Sequence, residues 1–213
     1  MTPRPDYSLM LVTDPIMTRH RGLVSTVLEA VAGGVTIVQL RDKTTDDATL
    51  AAAARALKAP LTPLSVPLIV NDRPAVAKAA GADGVHIGQS DGDPETARAI
   101  IGPDAIVGLS VTADAEVETV DPGIVDYVGL GPVFSSATKA DAAAPLGLTG
   151  FRGLGAQLPV PFVAIGGVDH RNAAAVMEAG AAGIACVSAI CATENPHEAA
   201  ATLRRAMQGG IAA

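Results

Sequence analysis

The chemistry open to this chain rests on a few polar residues set at the ends of apolar runs. In Ile37-Val38-Gln39-Leu40-Arg41-Asp42-Lys43 an amide and two cations fall on alternate positions. If this is the end of a strand, Val38 and Leu40 face one side while Gln39 and Arg41 face the other, with Lys43 just beyond. An arginine and a lysine converging with an amide suit a pyrophosphate. The competing reading is a plain surface charge pair between Arg41 and Asp42; against it, an inward Gln and Arg are costly to bury without a partner. Two acids follow similar runs, Asp72 after Ile69-Val70-Asn71 and Asp91 after Val85-His86-Ile87-Gly88-Gln89-Ser90. On neighbouring strand ends, two carboxylates can hold a magnesium ion that keeps some waters and bridges phosphate oxygens. Asp72 also suits the plainer role of an acid at a helix N-terminus, ahead of Pro74. His86 is read as a satisfied core histidine and not as a catalyst.

Further polar positions fall later in the chain. Gly108-Leu109-Ser110 puts a hydroxyl at a strand end, and Gly131-Pro132-Val133-Phe134-Ser135-Ser136-Ala137-Thr138-Lys139 forms a polar loop suited to phosphate contact. Of the lysines, Lys58 and Lys78 fall on helix-like stretches, while Lys43 and Lys139 fall at strand ends. Ile165-Gly166-Gly167-Val168 and Cys186-Val187-Ser188-Ala189 offer glycines and exposed N–H groups for a second anion. Two anion sites imply two anionic substrates, one of them carrying a diphosphate leaving group.

These positions have chemical meaning only if an architecture gathers them. Strand-like runs at 8–13, 36–40, 68–70, 84–88, 106–110, 127–131, 162–165 and 183–188 alternate with helix-like stretches at 23–32, 46–57, 74–79, 94–101, 115–120, 149–157, 171–179 and 198–208. That alternation is the pattern of an α/β fold, a single-domain (β/α)8 TIM barrel over residues 1–213. An open doubly wound sheet is the alternative, but the dominant glycine-rich turn after the first strand is missing. In a barrel, the carboxyl ends of all strands share one face, so the polar positions above would meet there. The proline-rich 59–67 stretch is expected to be a helix-to-strand loop.

Composition narrows the function. Hydrophobic residues make up 49% and charged residues 17%, enough for a core and against disorder. Aromatics are 2% with no tryptophan, which disfavours base-stacking platforms and carbohydrate clefts. A net charge of −7 argues against nucleic acid as a partner, so phosphate must be met by a few placed cations. No run is long enough to span a bilayer, and Met-Thr-Pro-Arg-Pro-Asp at the start has no apolar segment, so a cytoplasmic enzyme of small molecules is expected. The oligomeric state is left open, a homodimer being compatible with the sequence. Cys186 and Cys191 are expected as reduced, buried thiols and not as zinc ligands.

Taken together and in order, these motifs resemble thiamine-phosphate synthase, also called thiamine-phosphate pyrophosphorylase. The resemblance covers nearly the whole chain through Leu11-Val12-Thr13-Asp14, Gln39-Leu40-Arg41-Asp42-Lys43, Asn71-Asp72-Arg73, His86-Ile87-Gly88-Gln89-Ser90-Asp91, Gly108-Leu109-Ser110, Gly129-Leu130-Gly131-Pro132, Thr138-Lys139, Ile165-Gly166-Gly167 and Val187-Ser188-Ala189-Ile190. Each piece is weak by itself, and the ordered set is specific. The resemblance implies a transferase that couples 4-amino-2-methyl-5-hydroxymethylpyrimidine diphosphate to a thiazole phosphate, releasing pyrophosphate with magnesium as cofactor. It implies a pyrimidine-diphosphate site at Gln39, Arg41, Lys43, Asn71, Ser110 and Lys139, of which Arg41, Lys43, Ser110 and Lys139 are catalytic. It implies magnesium ligands at Asp72 and Asp91, and a thiazole-phosphate site at Ser136, Thr138, Gly166, Gly167, Val187 and Ser188. Two positions depart from the family's usual residues: Ser136, where a threonine is common, and Thr112, where relatives often carry a histidine. Such a histidine is linked to catalysis in the related thiazole tautomerases, so Thr112 weakens that alternative. A non-catalytic thiamine-phosphate binding protein is the other alternative.

Overall fold

Each strand of this chain is short and almost wholly buried, and each is followed by a segment that folds back over it. The computed structural model describes residues 5–135 and 144–209. Its elements run β1 (Leu9–Val12), α1 (Leu23–Ala32), β2 (Ile37–Leu40), α2 (Asp47–Leu61), β3 (Leu68–Asn71), α3 (Pro74–Ala80), β4 (Gly84–Ile87), α4 (Pro94–Ile101), β5 (Ile106–Val111), a 3-10 turn at Asp114–Thr119 and β6 (Tyr127–Leu130). They continue with α5 (Gly147–Gly155), β7 (Phe162–Ile165), α6 (Ala173–Glu178), β8 (Gly183–Cys186), α7 (Ser188–Cys191) and α8 (Pro196–Gln208). The strands pair in parallel in chain order, and β8 returns to β1, so the sheet is a closed (β/α)8 barrel.

Closure makes strand alternation decisive. The outward side chains, among them Leu9, Leu11, Val38, Leu40, Val70 and Val85, join the helices in the outer core. The inward set is a separate cluster containing Met10, Val12, Ile37, Ile69, Ile106, Tyr127, Val163 and Ala185. Both tyrosines of the chain belong to this inner cluster, their ring centroids 4.9 Å apart. Helix starts follow local chemistry. Asp46, Asp93 and Asn195 each accept the N–H three residues on, at 2.9–3.0 Å, and Pro94 and Pro196 sit in the first turns that need no donor there.

The amino ends of the strands share a repeated device. Thr36, Asp83 and Asp126, each preceding an even-numbered strand, accept the N–H of Leu9, Leu68 and Val107 near the start of the preceding odd strand, at 3.1, 2.8 and 2.8 Å. Two of these acids also receive a helix cation, Lys58 on Asp83 at 2.6 Å and Arg98 on Asp126 at 2.7 Å. Arg98 further donates to the carbonyls of Gly102, Ala105 and Ile124. One guanidinium therefore fastens the end of α4 to the starts of β5 and β6.

Three expectations are corrected. The 115–120 segment is a 3-10 turn and not an α-helix. The first helix-to-strand proline does not end α2, which runs through Pro60 to Leu61, because a proline removes only one donor near the helix end while Leu57 and Leu61 are both fully buried. The last strand ends at Cys186, and Ser188 opens the short helix α7 instead of closing the strand. Among the described residues no helix is long and apolar enough to cross a membrane.

Arg98 is the element of this scaffold whose loss should cost most at the barrel floor. Arg98→Ala is expected to lower the unfolding free energy by roughly 2–4 kcal/mol, since it strands a carboxylate and several carbonyls. Urea denaturation checks this; a change within about 0.5 kcal/mol, the range of an ordinary surface substitution, would contradict the tie described.

Candidate active site

At the carboxyl ends of the strands the barrel opens into a cavity of about 480 Å3. Its lining includes Gln39, Arg41, Asn71, Ser110, Gly166, Gly167, Val187 and Ser188, so eight of the residues singled out from the sequence meet in one place. Parity explains the first four: each is an inward position at or just past the end of β2, β3 or β5. Gln39 and Asn71 are buried on the cavity floor. Arg41 takes the Thr13 hydroxyl on its backbone N–H at 3.0 Å, and its guanidinium has no ion pair among the described residues. The Arg41–Asp42 surface pair is therefore not formed. Asp42 instead accepts from the N–H groups of Thr44 and Thr45 and the Thr44 hydroxyl, at 2.9, 3.2 and 2.8 Å. Burial alone would raise its carboxyl, but those donors hold it below the ordinary carboxylate value. Arg73 pins the same loop by donating to the Thr45 carbonyl at 2.7 Å.

The two acids meet beside the cavity, not in its lining. Asp72 lies one residue past Asn71 in a left-handed conformation, φ 62°, which aspartate tolerates better than most residues. Its N–H bonds the His86 carbonyl at 2.8 Å, tying the end of β3 to β4. Its carboxylate pairs with Lys43 at 3.0 Å and interacts with the carboxylate of Asp91. Burial raises the Asp72 carboxyl above its ordinary value, and the negative neighbour Asp91 adds to this; Lys43 offsets part of it. Asp91 is held by the Gly88 N–H at 3.0 Å. A half-buried carboxylate beside a second one, short of positive charge, is a donor set of hard oxygens that fits a divalent cation retaining water. Among the described residues no cluster of three or more His, Cys, Asp or Glu offers a closed cage.

The opposite wall comes from β7 and β8. The loop after β6 lies against β7 as an extra strand would, Val133 and Phe134 donating to the carbonyls of Ile165 and Gly166 at 2.9 and 3.0 Å. A Cβ on Gly166 would stand 2.5 Å from Pro132, and one on Gly167 would stand 2.6 Å from the Ser135 carbonyl oxygen. These glycines are therefore required by the approach of the β6 loop as well as by the cavity they line. Ser136, Thr138 and Lys139 lie outside the described residues.

Sequence reasoning treats His86 as core and gives no role to Tyr127, Asp169 and Arg171, all four of which line this cavity. His86 is buried, with Nδ1 2.9 Å from the Tyr127 hydroxyl and Nε2 2.9 Å from the Ser110 hydroxyl. It is the satisfied core histidine expected, and it also reaches the cavity. Asp169 and Arg171 form an ion pair on the β7 side of the rim. The inward parity of His86 and Tyr127 was a usable signal; Asp169 and Arg171, in an irregular loop, gave none.

Cys186 and Cys191 are both buried and free, and burial pushes their thiols up to about 12 and about 11.

The comparisons with known proteins agree over most of the chain. Residues 9–190 match the family model described as thiamine monophosphate synthase. A thiamine-phosphate synthase of Azorhizobium caulinodans is 54% identical over 203 residues, spanning 95% of this chain and 96% of that protein. One of Xanthobacter autotrophicus is 50% identical over 206 residues, spanning 96% and 98%. The solved thiamine phosphate pyrophosphorylase of Pyrococcus furiosus superposes with a TM-score of 0.87 at 33% identity, covering 98% of each chain.

The thiols offer a check on the packing of this end of the barrel. A thiol whose pKa is raised in the fold stays protonated until the pH passes well above 9, so its nucleophilic form is scarce at pH 8. The native chain is expected to react with a disulfide reagent at pH 8 only as fast as it unfolds, whereas the urea-unfolded chain should yield two thiols at once. Immediate labelling of the native chain would contradict the burial described.

Proposed function

The chain belongs to the thiamine monophosphate synthase family and is a transferase of that kind, and from that premise we propose how its residues divide the reaction. The substrates on this reading are 4-amino-2-methyl-5-hydroxymethylpyrimidine diphosphate and a thiazole ethyl phosphate, with or without a carboxylate on the thiazole, which if present would leave as carbon dioxide. The supporting observation is that one cavity has two unlike walls. Arg41 stands on the β2 side with no ion pair among the described residues, next to the Lys43, Asp72 and Asp91 group, and the glycines and Ser188 stand on the β7–β8 side.

In the reaction the bond between the pyrimidine methylene and the diphosphate oxygen breaks, and its electron pair leaves with the diphosphate. The amino-pyrimidine ring feeds electrons into the cation left behind. The thiazole nitrogen then donates its lone pair to the methylene carbon, forming the C–N bond. The nucleophile needs no deprotonation, which accounts for the lack of any demand on a general base. Arg41, Lys43 and Lys139 are assigned to the charge developing on the departing diphosphate. Gln39 and Asn71 are assigned to the pyrimidine, and Ser110 to a diphosphate oxygen. Gly166, Gly167, Val187 and Ser188, with Ser136 and Thr138, are assigned to the thiazole phosphate. Asp72 and Asp91 would hold magnesium, which when bound supplies positive charge against the diphosphate. The rest is positioning of two bound substrates and exclusion of water from the cation. The same reading puts the protein in the cytoplasm, where both free thiols would remain reduced.

Mixing both substrates with magnesium should release pyrophosphate together with thiamine phosphate. Turnover of the thiazole phosphate alone, or binding of thiamine phosphate without any turnover, would replace this reading with an isomerase or a binding protein. Arg41→Ala is expected to lower kcat by roughly 10²-fold or more, as loss of a charge-stabilising donor does; near-normal turnover would remove its role. Asp72→Asn and Asp91→Asn should each raise the magnesium concentration for half-maximal rate by about tenfold or more. An unchanged requirement in both would remove the metal assignment.

A further inference from the structure

We infer that a chain of hydrogen bonds of one polarity, from Tyr127 through His86 to Ser110, crosses the barrel interior and turns the Ser110 hydroxyl proton toward the cavity. Tyr127 and His86 are then positioning residues for Ser110. The inference rests on the reading of Ser110 as a donor to the leaving group.

The geometry is a set of short contacts among three strands. His86 of β4 stands between Tyr127 of β6 and Ser110 of β5, each ring nitrogen 2.9 Å from one hydroxyl. The Tyr127 hydroxyl has His86 Nδ1 as its hydrogen-bond partner among the described residues, while the Gln39 amide N–H donates to Met10 Sδ at 3.9 Å. Room for the two rings is made by glycines on the intervening inward positions. A Cβ on Gly108 would stand 2.3 Å from Tyr127 Cζ and 2.5 Å from His86 Nδ1, and one on Gly129 would stand 3.0 Å from His86 Cε1. Two large polar rings occupy the barrel because two neighbours have no side chain.

The polarity follows step by step. Complete burial drives the phenol far above its ordinary range, so Tyr127 keeps its proton. A fully buried phenol proton is costly to leave without an acceptor, and the acceptor in reach is His86 Nδ1, 2.9 Å away. An imidazole accepting at Nδ1 carries its proton on Nε2, and Nε2–H donates to Ser110 Oγ. With its oxygen accepting from the ring, the serine hydroxyl directs its proton away from His86. Ser110 and His86 both line the cavity, so the direction left is toward the substrate.

This is the reverse of a nucleophilic serine, whose proton is taken by the histidine. Here the serine is made a better donor, suited to an oxygen that gains charge as a bond breaks. The hydroxyl is aimed before substrate arrives.

The test reads the ring before it reads the rate. In the full chain labelled with 15N-histidine, a long-range proton–nitrogen spectrum should show the His86 proton on Nε2 and an unprotonated Nδ1. The signals are identified by their loss in His86→Asn. A proton on Nδ1 overturns the inference, and this measurement needs no substrate. Tyr127→Phe keeps the ring and removes the hydroxyl. It is expected to lower kcat about tenfold, the scale of one lost hydrogen bond, with KM for both substrates within about twofold. In a Ser110→Ala background the same change should alter kcat less than about twofold, because the end of the chain is gone. An equal loss in both backgrounds overturns the inference. Absence of pyrophosphate release from the unaltered chain would instead sink the proposed reaction and leave the tautomer result standing.

Discussion

The parallel ladder between Leu9–Leu11 and Ile184–Cys186 is where the sheet meets itself, and the functional end of the molecule follows from that closure. A closed parallel sheet has no free edge, and it brings every strand's carboxyl end to one face. Residues far apart in the chain, such as Arg41 and Ser188, become walls of one cavity without any contact between their own strands. The helices cover the outward side chains, so the inward ones are left to a thin inner cluster. With so little volume inside, each inward residue above that cluster is exposed to whatever enters the mouth.

Charge is distributed sparingly around that mouth. The chain carries a net charge of −7, so attraction of phosphorylated molecules cannot come from its surface as a whole. It is supplied locally. Among the described residues Arg41 has no ion pair, which its neighbour Asp42 could have supplied; Asp42 instead caps the turn at Thr44–Thr45. Lys43 takes the other course and pairs with Asp72. Asp72 is held where burial and Asp91 both work against its ionised form, which makes the pair receptive to added positive charge. The same three side chains would present a bare acidic spot to an anion and a cationic one once a divalent ion joined them.

Much of this was legible in the sequence, for a specific physical reason. Period-2 alternation fixes which side of a strand a residue faces, so Gln39 and Arg41 could be sent to the interior from their positions alone. The barrel itself followed from eight repeats of strand and helix. Alternation says nothing once the strand has ended. That is why the strand pattern carries Ser188 as the tail of a strand when it opens α7, and why it places Lys43 with Arg41 at a pyrophosphate without showing its pairing with Asp72. Asp169 and Arg171 lie in a turn built by Asn172, which accepts from Asp169 N–H at 2.9 Å and donates to Gly167. No periodic signal reaches such a turn. His86 had the right parity and was set aside because a buried histidine is usually just satisfied; its partners, from other strands, could not be known before the register was.

The floor and the rim of the cavity differ in kind, and the difference bears on how a substrate lies. Charge is costly at depth, so the floor is built from neutral groups, Gln39, Tyr127, His86, Asn71 and Ser110, while Arg41, Lys43, Asp72 and Asp91 stay near the rim. On that floor Tyr127, His86 and Ser110 are hydrogen-bonded to one another before anything binds. A satisfied, rigid set of dipoles does not have to reorganise when a polar ring replaces water above it. A charged tail, in contrast, finds its partners only at the rim. On the proposed reading, a molecule with a neutral heterocycle at one end and a diphosphate at the other would enter ring first, and the bond between the two ends would come to rest at the boundary between floor and rim, where Ser110 and Thr112 line the cavity.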